Sequence, residues 1–288
     1  MSGLDVYSEP VKLRPGSAAA CRWSVILLML FLALWGGLVG CRRPKAANAI
    51  CIAGSTSVQP FAEKLAEEFM RRHPQVYIDV QGGGSSAGIF AAQHGAADLG
   101  ASSRELVAQE KDLQEIPIAY DGIAIIVHKQ NPLENLSLEQ IRQIFQGRLT
   151  DWAAFGLPPH PIHIITREEG SGTRNAFEEL VMGKDAEITP MALVQDSNGS
   201  VREIVANDRH ALGYISMGLV DRRVKALAVD GVPPTREQVK SREYKLVRRF
   251  LFVTRELSPG PCQSFVNFVL SAQGQSLLEA EGLVGVNE

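Results

Sequence analysis

Three clusters of glycine with serine or threonine carry most of the chemistry this sequence offers. They are Gly54-Ser55-Thr56-Ser57, Gly82-Gly83-Gly84-Ser85-Ser86-Ala87-Gly88 and Thr166-Arg167-Glu168-Glu169-Gly170-Ser171-Gly172-Thr173. Each follows a short apolar run, Ile50 to Ala53, Val76 to Val80 and Ile162 to Ile165, and each precedes an amphipathic one. That order reads as strand, loop, helix. A helix start presents unpaired backbone N–H groups and a partial positive charge. Glycine lets a ligand approach that backbone, and hydroxyls add neutral donors. Three such ends meeting at one point form a site for a small oxyanion, with Arg167 as the one obvious fixed cation.

The elements that must position these clusters alternate along the chain. Ile50 to Ala53 is predicted as a strand, followed by a helix with Ser57 as its cap and Pro60 in its first turn. Phe61, Leu65 and Phe69 give that helix an apolar stripe, and Pro74 ends it. Strands over 76–80 and 98–101 flank a short helix over 86–94. A long apolar strand is predicted over 116–128, a helix over 137–147, a strand over 162–165 and a helix over 171–182. Asp196 to Ser200 reads as a loop capping a helix over 201–207. A strand over 212–215 follows, then a Pro-rich link at 232–235, a second long strand over 246–253, and final helices after Pro261. Alternating strands and helices imply an α/β fold with a largely parallel sheet. The two long strands bracket a middle segment, which implies two lobes joined by two crossover strands. We expect lobe 1 to combine 50–124 with 248–288 and lobe 2 to span 125–247, with the ligand in the cleft between them.

Composition sets the outer bounds. The chain has 288 residues, 45% hydrophobic and 21% charged, with a formal net charge of −3, so a nucleic-acid partner is not expected. Lys12, Arg14 and Arg22 precede an apolar run from Trp23 to Val39 that ends Leu38-Val39-Gly40-Cys41. This is the layout of a secretory signal, and the tetrapeptide resembles a lipobox. Residues 1–40 are then a lipoprotein signal peptide and 41–49 a lipidated tether. Cys41 would carry the acyl chains, palmitate among them, that hold the protein to the extracytoplasmic side of the envelope, in the periplasm or on the outer face of the cytoplasmic membrane. A retained signal anchor is the alternative, and either one faces the rest of the chain outward. Cys51 and Cys262 remain, as a disulfide or as two buried thiols. His160 and His163 lack partners at metal-ligand spacing and read as loop residues. Neither a metal nor a cofactor is expected.

The motifs also carry a resemblance. Ala53 to Pro60, Gln81 to Gly88, Asp98 to Arg104 and Arg167 to Arg174 occur in this order, with Asp196-Ser197-Asn198-Gly199 and Leu212-Gly213-Tyr214 after them. Together with the lipobox, the set resembles the phosphate-binding lipoproteins of the bacterial Pst phosphate ABC transporter, over essentially residues 50–288. The resemblance implies a two-lobed periplasmic-binding-protein-like fold. It implies an extracytoplasmic protein that captures inorganic phosphate and hands it to ABC permease subunits, with a monomer as the default state. It also implies that Thr56, Ser57, Ser85, Ser103, Arg167, Ser171, Gly172 and Thr173 surround the phosphate.

One position departs from the family. Members carry Asp where this chain has Ser103, and that carboxylate accepts the ligand's proton and repels sulfate. Serine both accepts and donates, so another carboxylate is needed if sulfate is to be rejected. Asp121, inside the first long strand, is the candidate. One of Glu168 and Glu169 is expected to hold the fork of Arg167. Binding of another tetrahedral oxyanion such as sulfate or molybdate, and a secreted phosphate sensor or phosphoester hydrolase on the same scaffold, are the alternatives. Enzyme motifs fail. Ile89 and Phe90 stand where a P-loop needs Lys and Ser or Thr, and Ala87 ends what would be a nucleophile elbow.

Overall fold

A computed structural model describes residues 48–287 apart from Ser258. The signal segment, Cys41 and most of the tether lie outside the described residues. The chain opens with β1 (Ala49–Gly54), α1 (Gln59–Arg72), β2 (Tyr77–Gln81), α2 (Ser85–Gln93) and β3 (Leu99–Ser102). The long strand β4 (Gln114–His128) then leads to β5 (Asn135–Leu136), α3 (Leu138–Phe145), β6 (His163–Arg167) and α4 (Gly172–Phe177). Next come β7 (Leu193–Gln195), α5 (Asn198–Asn207), β8 (Ala211–Ser216), β9 (Val224–Ala226), β10 (Ala228–Val229) and α6 (Arg236–Lys240). The return strand β11 (Val247–Thr254), α7 (Pro261–Leu270), α8 (Ala272–Ala280) and β12 (Val284–Gly285) complete it.

The main path of the sheet runs β2-β1-β3-β11-β4-β8-β6-β7. β1 is parallel to β2 and β3, and β6 is parallel to β8 and β7, whereas β11 and β4 are antiparallel to their neighbours. β4 serves both halves. Its stretch from Gln114 to Gly122 pairs with β11, and its stretch from Ile123 to Val127 pairs with β8. The two long strands therefore pair with each other as they pass between lobes, with Asp121 opposite Arg248.

Each half packs its own core. Phe61, Leu65 and Phe69 of α1 are buried with Ile52, Leu99, Ile118, Phe250 and Phe265, and the Phe69 and Phe265 rings meet edge-on at 5.4 Å. The other core gathers Ile125, Ile144, Phe145, Phe177, Val201, Leu212 and Tyr214, with the rings of Phe177 and Tyr214 stacked at 4.1 Å. The α/β architecture with two lobes and two crossover strands is the one expected.

Local details differ where a distant partner outbids a local pattern. Ser57 does not cap α1. The cap position is Val58, without a side-chain bond, because the Ser57 hydroxyl is turned toward Thr173 and Asn198. α5 starts at Asn198, three residues before the expected start, capped by Ser197. The helix expected over 171–182 loosens into a π turn from Glu178 to Met182.

α2 owes its seat to a missing side chain. A Cβ on Gly88 would lie 2.3 Å from the Ala53 carbonyl oxygen and 2.5 Å from the Gly54 Cα. Both are backbone atoms that cannot rotate away. Gly88→Ala is therefore expected to lower unfolding free energy by about 1–3 kcal/mol, an overpacking cost. Urea denaturation reads it, and an unchanged midpoint would show that α2 does not depend on this contact.

Candidate oxyanion site

The carboxyl ends of β1, β3 and β6 and the amino ends of α2, α4 and α5 converge beside the β4–β11 crossing. Ser55, Thr56 and Ser57 follow β1, Ser85 opens α2, Ser103 follows β3, and Arg167 ends β6. Ser171 caps α4, accepting from the Arg174 N–H, and Gly172 and Thr173 form its first turn. Ser55, Ser57, Ser85, Ser103, Arg167, Ser171, Thr173 and Asn198 are all at most 2% exposed. Burying this many hydroxyls is tolerable only if they bond to something.

They bond to one another within the first lobe and across to the second. Ser57 Oγ and Thr173 Oγ1 lie 2.6 Å apart. Ser55 Oγ donates to Ser103 Oγ at 2.8 Å, and the Ser103 N–H donates to Ser85 Oγ at 3.0 Å. A Cβ on Gly172 would lie 2.2 Å from Ser85 Oγ and 2.7 Å from Ser103 Oγ, so only glycine lets the start of α4 come this close. The Ser86 N–H donates to the Gly170 carbonyl at 3.2 Å, a further bond between halves.

Arg167 is gripped along one edge. Its Nε donates to Glu168 Oε2 at 2.9 Å and to the Gln195 carbonyl at 3.2 Å. Its Nη2 reaches Glu168 Oε1 at 2.9 Å, Thr56 Oγ1 at 3.1 Å and the Asp196 carbonyl at 3.2 Å. Nη1 is buried and has no partner among the described residues. Glu168 is thus the residue that orients the guanidinium, while Glu169 is exposed. A charged donor held this firmly, with both Nη1 protons unused and hydroxyls beside it, is built to meet an anion.

The expectation that Arg167 is the single fixed cation is corrected by Arg248, 6% exposed on β11. Its Nε and Nη2 donate to Asp121 Oδ2 at 2.9 and 2.8 Å. Nη2 also donates to Ser57 Oγ at 3.2 Å, and Nη1 donates to the Ser103 carbonyl at 3.4 Å. Asp121 Oδ1 accepts from Ser216 Oγ at 2.7 Å, and the Met217 N–H bonds the same carboxylate. Burial pushes the Asp121 carboxyl up and the Arg248 guanidinium down, and each charge pulls the other back. A carboxylate offers about four acceptor positions, and these donors occupy them. Asp121 therefore stands in the site's wall as the counter-ion of Arg248, which leaves it poorly placed to accept a ligand's proton.

All eight proposed ligand residues and Asp121 thus gather at this junction, Thr56 half-buried and the rest buried, and Cys41 lies outside the described residues. Sequence reasoning missed Ser55, Asn198, Ser216 and Arg248 as members. Asn198 donates to Thr56 Oγ1 at 3.2 Å and to Ser57 Oγ at 2.9 Å, while its Oδ1 accepts from the Ser216 N–H at 3.2 Å. The signal for Arg248 was an arginine in a strand, spaced two and four residues from Phe250 and Phe252, which places it on their inward face. Among the described residues no group of three or more His, Cys, Asp or Glu side chains is placed to hold a metal ion.

Comparison with known proteins agrees in kind. A model of the PBP superfamily domain matches residues 42–273. The chain is similar to a protein from Clostridium perfringens assigned as a phosphate ABC transporter substrate-binding protein, whose crystal structure holds bound phosphate. Identity is 43%, over 83% of this chain and 100% of that one, with a TM-score of 0.81. An ABC-type phosphate transport receptor from Vibrio cholerae is 36% identical over 82% of this chain and 99% of its own, with a TM-score of 0.68. The phosphate-binding protein PstS of Bacillus subtilis (strain 168) is 29% identical over 252 residues, 85% of this chain and 83% of its own.

Removing one half of the buried pair leaves a charge with no counter-ion. Asp121→Ala is expected to cost about 3–5 kcal/mol of stability. The double change Asp121→Leu with Arg248→Met is expected to recover most of that loss, because an apolar pair carries no desolvation penalty. Denaturant titration of the two variants checks both, and equal losses would show that the pair is not coupled.

Proposed function

This chain belongs to the PBP superfamily, and from that premise we propose that it is an extracytoplasmic solute-binding protein that captures inorganic phosphate and delivers it to an ABC permease. The observation that carries the reading is the guanidinium of Arg167: buried, held along one edge, with Nη1 unpartnered among the described residues. The relatives named as phosphate-binding and phosphate-transport proteins support the choice of ligand.

The phosphate would be stripped of water and enclosed by Thr56, Ser57, Ser85, Ser103, Ser171 and Thr173, by the backbone N–H of Gly172, and by Arg167. Neutral hydroxyls and helix-end N–H groups replace the lost hydration without opposing charge of their own. The lobes in this reading are 50–124 with 248–288 and 125–247; two separate cores support a two-lobe division, with Ile123, Ala124 and Val284 packed into the second core. Lobe movement about the β4–β11 crossing exposes and encloses the anion, and the permease distinguishes the enclosed form by its shape. The hydrophobic leader and Cys41 support a lipid anchor at the membrane surface. We assign no catalytic step to the site.

Calorimetric titration with phosphate tests the reading. Arg167→Ala is expected to weaken binding by about 2–5 kcal/mol, the cost of truncating a buried charge-assisted contact. Unchanged affinity in that variant would remove Arg167 from the site.

A further inference from the structure

The hydrogen bonds at the site have a direction, and the direction bears on which anions it takes. A hydroxyl has one proton to donate and two lone pairs that accept. Thr56 Oγ1 accepts from Arg167 Nη2 at 3.1 Å and from Asn198 Nδ2 at 3.2 Å, which fills both lone pairs. Ser57 Oγ accepts from Asn198 Nδ2 at 2.9 Å and from Arg248 Nη2 at 3.2 Å, with the same result. Ser57 must then be the donor in its 2.6 Å contact with Thr173, and Thr173 has its own proton left to give. Asn198 cannot flip to relieve this, because its Oδ1 accepts from the Ser216 N–H at 3.2 Å. Both carboxylates at the site are paired with arginine: four donors fill Asp121, and Glu168 grips the Nε and Nη2 edge of Arg167 and not the unpartnered Nη1. Of the charged groups packed behind α2 and α4, Arg104 pairs with Glu110 and Arg174 pairs with Glu178.

We propose that the site turns donors toward its ligand, so that it selects tetrahedral dianions by charge and shape and admits sulfate alongside phosphate. The inference rests on the phosphate reading and deepens it. A free carboxylate would reject sulfate by setting two acceptors face to face. Here the acceptors left to meet the single proton of dianionic phosphate are the remaining lone pairs on the hydroxyls of Thr173, Ser103, Ser85 and Ser171. Each of those hydroxyls can equally donate to sulfate. Asn198 and Arg248 are the positioning residues, since they set where Thr56 and, through Ser57, Thr173 point their protons without touching the anion.

The test is calorimetric titration of the protein with sodium phosphate and with sodium sulfate, above and below the second ionisation of phosphate. Above it, the two anions are expected to bind within about tenfold of each other. Below it, phosphate binding is expected to weaken as the monoanion replaces the dianion. Asn198→Asp replaces two donors by acceptors, so it is expected to abolish sulfate binding and to make phosphate bind better at the lower pH. Asn198→Ala frees Thr56 and Ser57 to accept and is expected to shift the ratio toward phosphate; a merely structural role would weaken both anions alike. Phosphate binding undisturbed by a roughly hundredfold excess of sulfate, or ratios unmoved in both variants, overturns the inference and leaves the phosphate reading standing. A folded protein that binds neither anion overturns the phosphate reading itself.

Discussion

The ion pair between Asp121 and Arg248 is the constraint on which the junction of the two halves turns. It spans β4 and β11 where both strands leave one core for the other, and the two residues stand opposite each other in register. Two charges taken out of water cost several kcal/mol each before their attraction repays anything. An apolar pair would pack there at less expense. What the pair supplies instead is direction: Arg248 reaches Ser57 and the Ser103 carbonyl, and Asp121 draws in Ser216. The backbone of Ser216 in turn fixes Asn198. One cation thereby orders residues from the turns after β1 and β3, from β8 and from α5.

The second arginine obeys the same logic with a different result. Arg167 is neutralised on one edge by Glu168 and by two carbonyls, while Nη1 is left over. Two arginines and two carboxylates sum to no net charge, so attraction for an anion comes from where the donors point. Helix starts and hydroxyls supply the rest of the field. Such a site needs no basic surface, which is why it can sit in a chain of net charge −3.

Much of this was legible in the order of residue types. Apolar runs ending in Gly-Ser or Gly-Thr turns mark strand ends and helix starts, because both the turn and the cap have strong local preferences. The three clusters were read that way, and the resemblance to the phosphate-binding lipoproteins then picked out the eight ligand candidates, with Ser103 outside the clusters. What local pattern could not show is competition from the other lobe. Ser57 has the residue type and position of a cap, yet its hydroxyl is claimed by Thr173, 116 positions away in the chain. Asn198 looked like part of a turn, since nothing near it in sequence says that Ser216 will orient its amide. Arg248 was hidden next to Arg249 in an apolar strand. Strand alternation separates them, Arg249 toward Glu105 and Glu115 at the surface and Arg248 inward, but only tertiary pairing with Asp121 gives the inward one a purpose.

The contacts between the lobes at the site differ in kind from those within each lobe. Inside each half, aromatic and aliphatic side chains make a continuous apolar core. Across the site the links are polar: Ser57 with Thr173, Thr56 with Arg167 and Asn198, Ser86 with Gly170. A hydrogen bond of this sort contributes only about 0.5–1.5 kcal/mol net, because water replaces it when it opens. Across the site the lobes are therefore held more weakly to each other than to themselves, whereas elsewhere the β4 and β11 backbone ladder, the Arg236–Glu279 pair and the packing of Leu219 and Val284 join them. An anion that bridges Arg167 and Thr173 of one half to Thr56 and Ser85 of the other adds its charge-assisted bonds only when the halves meet. A ligand shifts an equilibrium by no more than its difference in affinity for the two states. Neutral polar contacts of this kind across a cleft are ones that the charge-assisted bonds of an anion can outweigh.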